Sequence, residues 1–264
     1  MKPQTLRASD GSTLRWIEAG SGEPLVLIHG VGMRAEAWGP QMNLTGRVIA
    51  LDMPGHGGTT ALPKGALLLD YVAWAVQVMT ALGMAPANVA GHSMGALIAL
   101  GLAVSHPQQV RRVALLNGVH RRIPDASAAV VARAEAISCG EFDLETPLNR
   151  WFQPGEDAIR ANVAGGLSGV DHAGYASAYR AFALGDDSYC DDLGRISCPA
   201  LFLTGADDPN STAAMARAMA AACGGQAIVI ENHRHMVNLT APDAVNAALT
   251  AWLATPQTQL EKRA

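Results

Sequence analysis

Val89-Ala90-Gly91-His92-Ser93-Met94-Gly95-Ala96-Leu97-Ile98 is the stretch on which the fold turns. A strand-like apolar pair runs into Gly-x-Ser-x-Gly, and then into Met94 to Val104, which is small and apolar almost all round. The five-residue pattern alone is weak in a chain with 27 glycines. Between a strand and a helix it acquires a mechanical reason. A serine on so sharp a turn sits in strained backbone where bulky neighbours would clash, and Gly91 and Gly95 leave the room. The context therefore predicts Ser93 as a nucleophile at a strand end, in preference to a surface serine on a glycine-rich turn.

On either side the chain alternates strands with helices. Leu6 to Ala19 reads as two runs around Asp10-Gly11, a strong hairpin signal. Short apolar runs follow at Leu25 to Ile28, Val48 to Leu51, Asn88 to Ala90, Val113 to Leu116, Ala200 to Leu203 and Ile228 to Ile230. Without polar alternation, they predict strands buried on both faces, as in a parallel sheet covered by helices. Tyr71 to Leu82 reads as a helix burying Val72, Ala75, Val76, Met79 and Leu82, and Asp243 to Leu253 as another, entered at Pro242. From residue 119 to 195 no strand is expected. Helices are, over Pro124 to Ser138, Thr146 to Phe152, Glu156 to Leu167 and His172 to Leu184. The expected organisation is a core of residues 1–118 and 196–264 with a helical lid, 119–195, over the C-terminal edge of the sheet. Thr255 to Ala264 is polar and expected to fray.

A serine hydroxyl needs a base, and the base needs an orienting acid. The acid should follow a late strand, and Ala200 to Leu203 leads into Thr204-Gly205-Ala206-Asp207-Asp208-Pro209. Of the two carboxylates Asp208 is favoured on pattern; the loop after Val113 to Leu116 offers only Asn117. The base should follow the last strand, where His233 and His235 both stand. An oxyanion needs two N–H donors. Met94 at the helix N-terminus supplies one; Val31, flanked by Gly30 and Gly32 after the Leu25 to Ile28 strand, supplies the other.

Apolar residues make up 49% and charged residues 16%, which points to a packed core rather than disorder. The net charge is −4, with no basic stripe, so nucleic acid is not an expected partner. No apolar run approaches the roughly 20 residues of a membrane span, and Met1 to Thr5 begins no signal core. Cys139, Cys190, Cys198 and Cys223 form no CxxC pair and no metal-ligand spacing. Reduced thiols in the cytoplasm, with no metal or organic cofactor, are the expectation. The expected partner is a small-molecule substrate, and a homo-oligomer is compatible with the chain.

The chain resembles the α/β-hydrolase family through His29-Gly30-Val31-Gly32, Asp52-Met53-Pro54-Gly55-His56-Gly57, Gly91 to Gly95, Gly205 to Pro209 and His235 to Pro242. Asn232 to Pro242, Arg150-Trp151-Phe152 and Gly174-Tyr175 are similar to the bacterial 3-oxoadipate enol-lactonase branch. The resemblance implies an α/β fold with a mostly parallel eight-stranded sheet, flanking helices and an inserted lid. Its G-x-x-D places the acid on Asp208, and its H-x(6)-P selects His235 over His233. It implies hydrolysis of a small carboxylic ester or enol-lactone through an acyl-serine. Alternatives on the same framework are C–C hydrolysis of meta-cleavage diketones, amide hydrolysis, or ligand perception without turnover. Asn210-Ser211-Thr212 and Arg234 depart from the family pattern. Met33, Trp38, Trp151, Phe152 and Met236, with Gly30 and Gly32, are the expected substrate-facing residues. For Arg121 and Arg122 a solvated lid surface is the favoured expectation, and contact of one of them with a substrate carboxylate is the alternative.

Overall fold

The computed structural model describes residues 2–257. Eight strands form one sheet: β1 (Gln4–Arg7), β2 (Thr13–Gly20), β3 (Pro24–Ile28), β4 (Arg47–Leu51), β5 (Ala87–His92), β6 (Val110–Leu116), β7 (Ala200–Gly205) and β8 (Gln226–Ile230). Their order is β1-β2-β4-β3-β5-β6-β7-β8. The β1–β2 and β2–β4 pairs are antiparallel, and the others run parallel. The chain leaves β3 for β4 on one side and returns to pair β5 on the other. Such a reversal opens a crevice at the C-terminal strand ends, where open α/β sheets bind ligands.

Nine α-helices accompany the sheet among the described residues: α1 (Leu68–Ala81), α2 (Met94–Ser105), α3 (Pro124–Ser138), α4 (Glu145–Trp151), α5 (Asp157–Ser168), α6 (His172–Ala183), α7 (Ala213–Cys223), α8 (Val237–Thr240) and α9 (Pro242–Leu253). Helices α3 to α6 all lie between β6 and β7 in the chain.

Alternation along the strands separates two apolar layers. Val26, Ile28, Val89, Val113 and Phe202 pack with α1 and α2. Leu25, Leu27, Ala90, Ala114 and Leu203 face the other way, against Trp38, Val245, Leu249 and Trp252. Helix α2 is buried from Met94 to Val104, as its all-apolar sequence requires. Helix α1 buries Leu68, Tyr71, Val72, Ala75, Val78 and Met79. Val76 and Leu82 of the expected face are half-buried and pack against the same core, and Leu68, Tyr71 and Val78 join the buried face. Thr255 does not fray: its carbonyl accepts from Arg112 Nε at 3.0 Å and Nη2 at 2.7 Å. Residues 258–264 of the expected tail lie outside the described residues.

Candidate active site

Ser93 joins β5 to α2 with φ 55° and ψ −116°, a left-handed conformation that is strained for a serine. A Cβ at Gly91 would stand 1.9 Å from the Gly95 carbonyl oxygen, and one at Gly95 would stand 2.1 Å from that of Ile28. Only glycine fits at either place. The Ser93 N–H donates to Leu116 O at 2.9 Å, which ties the turn to the end of β6.

The loop after β3 reaches the same point because Ile28 pairs in register with Gly91. A Cβ on Gly30 would lie 3.0 Å from the Ser93 Cβ. Met33 N–H donates back to Gly30 O at 3.1 Å, and Gly32 N–H donates to His56 Nε2 at 3.0 Å. The Val31 and Met94 N–H groups donate to no protein acceptor among the described residues. Two backbone donors are thus left beside Ser93, one of them at the positive end of α2.

Three buried histidines brace this loop. His29 accepts from Met53 N–H on Nε2 at 3.0 Å and donates from Nδ1 to Gly30 O at 2.7 Å. His56 donates from Nδ1 to Pro54 O at 3.0 Å while accepting from Gly32. His92 donates from Nε2 to His235 O at 2.8 Å. Burial pushes His29 down to about 4. It pushes His56 and His92 to about 3, with the neighbouring His29 and His235 respectively adding to the effect. All three are therefore neutral at pH 7, with tautomers set by their partners. The Asp52 to Gly57 motif supports them: buried Asp52 pairs with Arg15 and accepts from Ala35 N–H at 2.7 Å.

The loops that carry His235 and Asp208 meet at the end of β7. His235 Nδ1–H donates to Asp208 Oδ2 at 2.8 Å. Asn117 Nδ2–H donates to the same oxygen at 2.7 Å, and Asn210 N–H donates to Oδ1 at 2.8 Å. Burial works to raise the Asp208 carboxyl, but His235, Asn117 and Asn210 outweigh it and hold the group below its usual range. The neighbouring candidates lie elsewhere. Asp207 is exposed and accepts from Gln153 Nε2 at 2.7 Å. His233 Nδ1 sits 2.9 Å from Thr240 Oγ1 and 3.5 Å from Glu156.

Of the expected lining residues, Met33, Phe152 and Met236 are buried in one cluster with Met94 and with Leu148, Leu167 and Tyr175 of the inserted helices. The Trp151 ring stacks on His235 at 5.9 Å between centroids. Trp38 does not join them. It is fully buried on the opposite face of the sheet with Leu25, Leu27 and Met42, so its size serves the core. Gly32 meets the inserted helices: a Cβ there would stand 2.4 Å from Leu167 Cδ2. The arginine expectation divides. Arg121 is exposed and pairs with Asp191, whereas the Arg122 side chain is only 6% exposed and pairs with Asp186 at 3.1 Å.

Sequence reasoning missed Arg234, which donates from Nη1 to Asn149 O at 2.6 Å and to Phe152 O at 2.9 Å. With Gln153 on Asp207, it clamps the end of α4 to the loops that carry His235 and Asp208. The one signal was that Arg234 departs from the small residue expected beside the histidine. Among the described residues no group of three or more His, Cys, Asp or Glu side chains could hold a metal ion. No helix among them is long and apolar enough to cross a membrane.

A parallel sheet with a serine on a strained strand–helix turn and a carboxylate–imidazole pair one loop away defines a class. The chain belongs to the α/β-hydrolase family, whose model matches residues 25–248, and it is a hydrolase of that fold. It is 54% identical to the (E)-2-((N-methylformamido)methylene)succinate hydrolase of Acinetobacter baylyi, covering 97% of this chain and 99% of the relative. It is 30% identical to 3-oxoadipate enol-lactonase 2 of the same organism, covering 77% of each. The crystal structure of the Burkholderia xenovorans enol-lactonase superposes with a TM-score of 0.82 at 26% identity, covering 93% of this chain and 98% of that one.

Proposed function

We propose that this chain is a serine hydrolase that cleaves a small ester, enol-lactone or enamide through an acyl-Ser93 intermediate. The observation that carries the reading is the His235–Asp208 hydrogen bond of 2.8 Å, made on Nδ1. It orients the ring and leaves Nε2 as the atom for proton transfer. His235 Nε2 takes the Ser93 proton as Oγ attacks the carbonyl, and Val31 and Met94 N–H receive the oxyanion. The imidazolium then protonates the leaving heteroatom, and His235 next activates water to release Ser93. Asp208 stays ionised throughout, because its hydrogen bonds hold it below its usual range. Helices α3 to α6 act as the lid, with Trp151 covering His235 from the water side.

The relatives narrow the bond. An enol-lactone and an N-methylformamide on a methylene carbon share one chemical feature: the acyl leaving atom is attached to a C=C carbon. A leaving group of that kind departs more easily than an alkoxide or a simple amide, which suits a site with no metal among its proposed parts. The test is turnover of a panel of alkyl esters, enol-lactones, enamides and vinylogous diketones by the wild type and by Ser93→Ala. The expected result is highest kcat/KM on the enol-type or enamide acyl substrates, and a loss of about 10⁴-fold or more in kcat for Ser93→Ala. Full turnover by Ser93→Ala overturns the reading, and a diketone hydrolysed far faster than every acyl substrate assigns C–C cleavage instead.

A further inference from the structure

We propose that the lid completes the oxyanion hole: Leu167 of α5 and Tyr175 of α6 are positioning residues that hold in place the turn carrying the Val31 N–H. The inference rests on the acyl-serine reading and adds a working part to that same site. The turn runs from Gly30 to Met33 and is closed by Met33 N–H donating to Gly30 O at 3.1 Å. Gly32 stands at its third position with φ 78°, the geometry of a type II turn, which favours glycine there. With glycine on both sides of Val31 the segment is intrinsically loose, because only its surroundings restrict the backbone. The direction of the Val31 N–H therefore depends on what touches Gly32.

Two contacts grip that glycine. His56 Nε2 accepts its N–H at 3.0 Å. The inserted helices supply the other: the space a Cβ on Gly32 would need is taken by Leu167 Cδ2 at 2.4 Å and Tyr175 Cε2 at 2.8 Å. Both side chains are buried, and the Phe142 ring braces Tyr175 edge-on at 5.4 Å. Helix α6 comes this close because its own seat is backbone on backbone. A Cβ on Gly174 would stand 2.3 Å from Gly55 O and 2.7 Å from Gly55 Cα. Gly55 precedes His56, so one core loop carries both the acceptor for Gly32 and the seat of the helix that bears Tyr175. The turn is not wedged from every direction, since a cavity of about 320 Å³ lined by Met33, Gly55, His56, Gly166 and Asp171 adjoins it. Without the side chains over Gly32 it has room to swing. The Val31 N–H would then lose its aim beside Ser93, whose Cβ lies 3.0 Å from the Cβ position of Gly30. The charge this N–H receives exists only after attack, so the lid contact acts on kcat more than on substrate binding.

Steady-state kinetics on an aryl acetate test this with Tyr175→Ala, Tyr175→Leu and Tyr175→Phe, and with Leu167→Ala from the other helix. Removing a complete oxyanion donor costs about 10²–10³-fold in kcat, so a loosened one in Tyr175→Ala is expected to cost about 10- to 50-fold, with KM moving less than about three-fold. The rate should recover in the order Ala, Leu, Phe as the side chain refills the space over Gly32. Phenyl trifluoromethyl ketone reads the hole without turnover. Ser93 Oγ adds to its carbonyl, the proton passes to His235 Nε2, and the hemiketal oxyanion accepts from the Val31 and Met94 N–H groups. Its inhibition constant should rise by about the factor by which kcat falls, while that of acetophenone, whose carbonyl is not attacked, stays within about three-fold. Where the melting transition shows that Tyr175→Ala does not fold, Tyr175→Leu and Leu167→Ala carry the same expectation at about five-fold or more. Folded variants with kcat within about two-fold of the wild type, a loss confined to KM, or equal losses of affinity for both ketones overturn the proposal. Failure of the acyl-serine reading shows itself separately, as a wild-type enzyme that hydrolyses esters yet binds the trifluoromethyl ketone no better than acetophenone; the turn then has no oxyanion to hold.

Discussion

Lowering the pH from about 7.5 to about 5.5 should loosen this protein well before its ordinary carboxylates titrate near 4. The cause is the trio His29, His56 and His92, which are buried and held down to about 4, about 3 and about 3. In the unfolded chain a histidine titrates near 6.5, so the unfolded state takes up protons that the folded state refuses. The sign follows. A group with a depressed folded pKa contributes stability that is complete above its unfolded value and is lost as pH falls toward the folded one. Over these two pH units each histidine costs about 1.4 kcal/mol, and the three together roughly 4 kcal/mol. His120, also pushed down by burial, acts in the same direction. Against a typical stability of about 5–15 kcal/mol the loss is large. Urea unfolding at the two pH values measures it, with the midpoint expected to fall by roughly 1–2 M. Unfolding free energies that agree within about 1 kcal/mol would refute the claim that these rings are buried neutral. The folded protein keeps His56 neutral through this window, so the Gly32 N–H bond to its Nε2 should persist in every molecule that stays folded.

Three substitutions probe the rest of the site. Gly95→Ala drives a Cβ to within 2.1 Å of the Ile28 carbonyl oxygen. It should cost more than about 4 kcal/mol and be seen as a collapse of the melting temperature; a near-native melt would contradict the packing. Asn117→Ala removes the 2.7 Å donor to Asp208. It should lower both kcat and stability, the latter by about 1–3 kcal/mol, and unchanged values of both would speak against its role. Arg234→Ala frees the carbonyls of Asn149 and Phe152 at the end of α4. An increase in KM of about 10-fold, larger than the fall in kcat, is expected from steady-state kinetics if it holds the lid.

Much of this molecule was legible in its sequence, for reasons that are local. Strands β3 to β8 announce themselves as short apolar runs, and the first hairpin by Asp10-Gly11, because burial and turn geometry act on neighbouring residues; β8, expected to be buried on both faces, is instead the half-buried edge of the sheet. The inserted helices were legible too; α3 spans Pro124–Ser138, the expected range. What stayed hidden depends on partners distant in the chain. His56 earns its place through Gly32, 24 residues away, and His92 through His235, 143 residues away. Trp38 and Arg122 illustrate the same point in opposite senses. A large aromatic just after the loop that follows β3 turns to the opposite sheet face, and an arginine expected in water is carried inward against Phe182. Neither direction can be read from residue type. The choice between His233 and His235 likewise became geometric only when Asp208 was seen beside one of them.

The central claim is that Ser93 is the reacting atom's bearer, and covalent capture tests it most directly. Incubation with an aryl phosphonate that phosphonylates activated serines, followed by intact and peptide mass spectrometry, should show one adduct per chain, located on Ser93. It should form at a rate that falls steeply in His235→Ala. An adduct on another residue, or no adduct in a protein that still hydrolyses its substrates, would contradict the account.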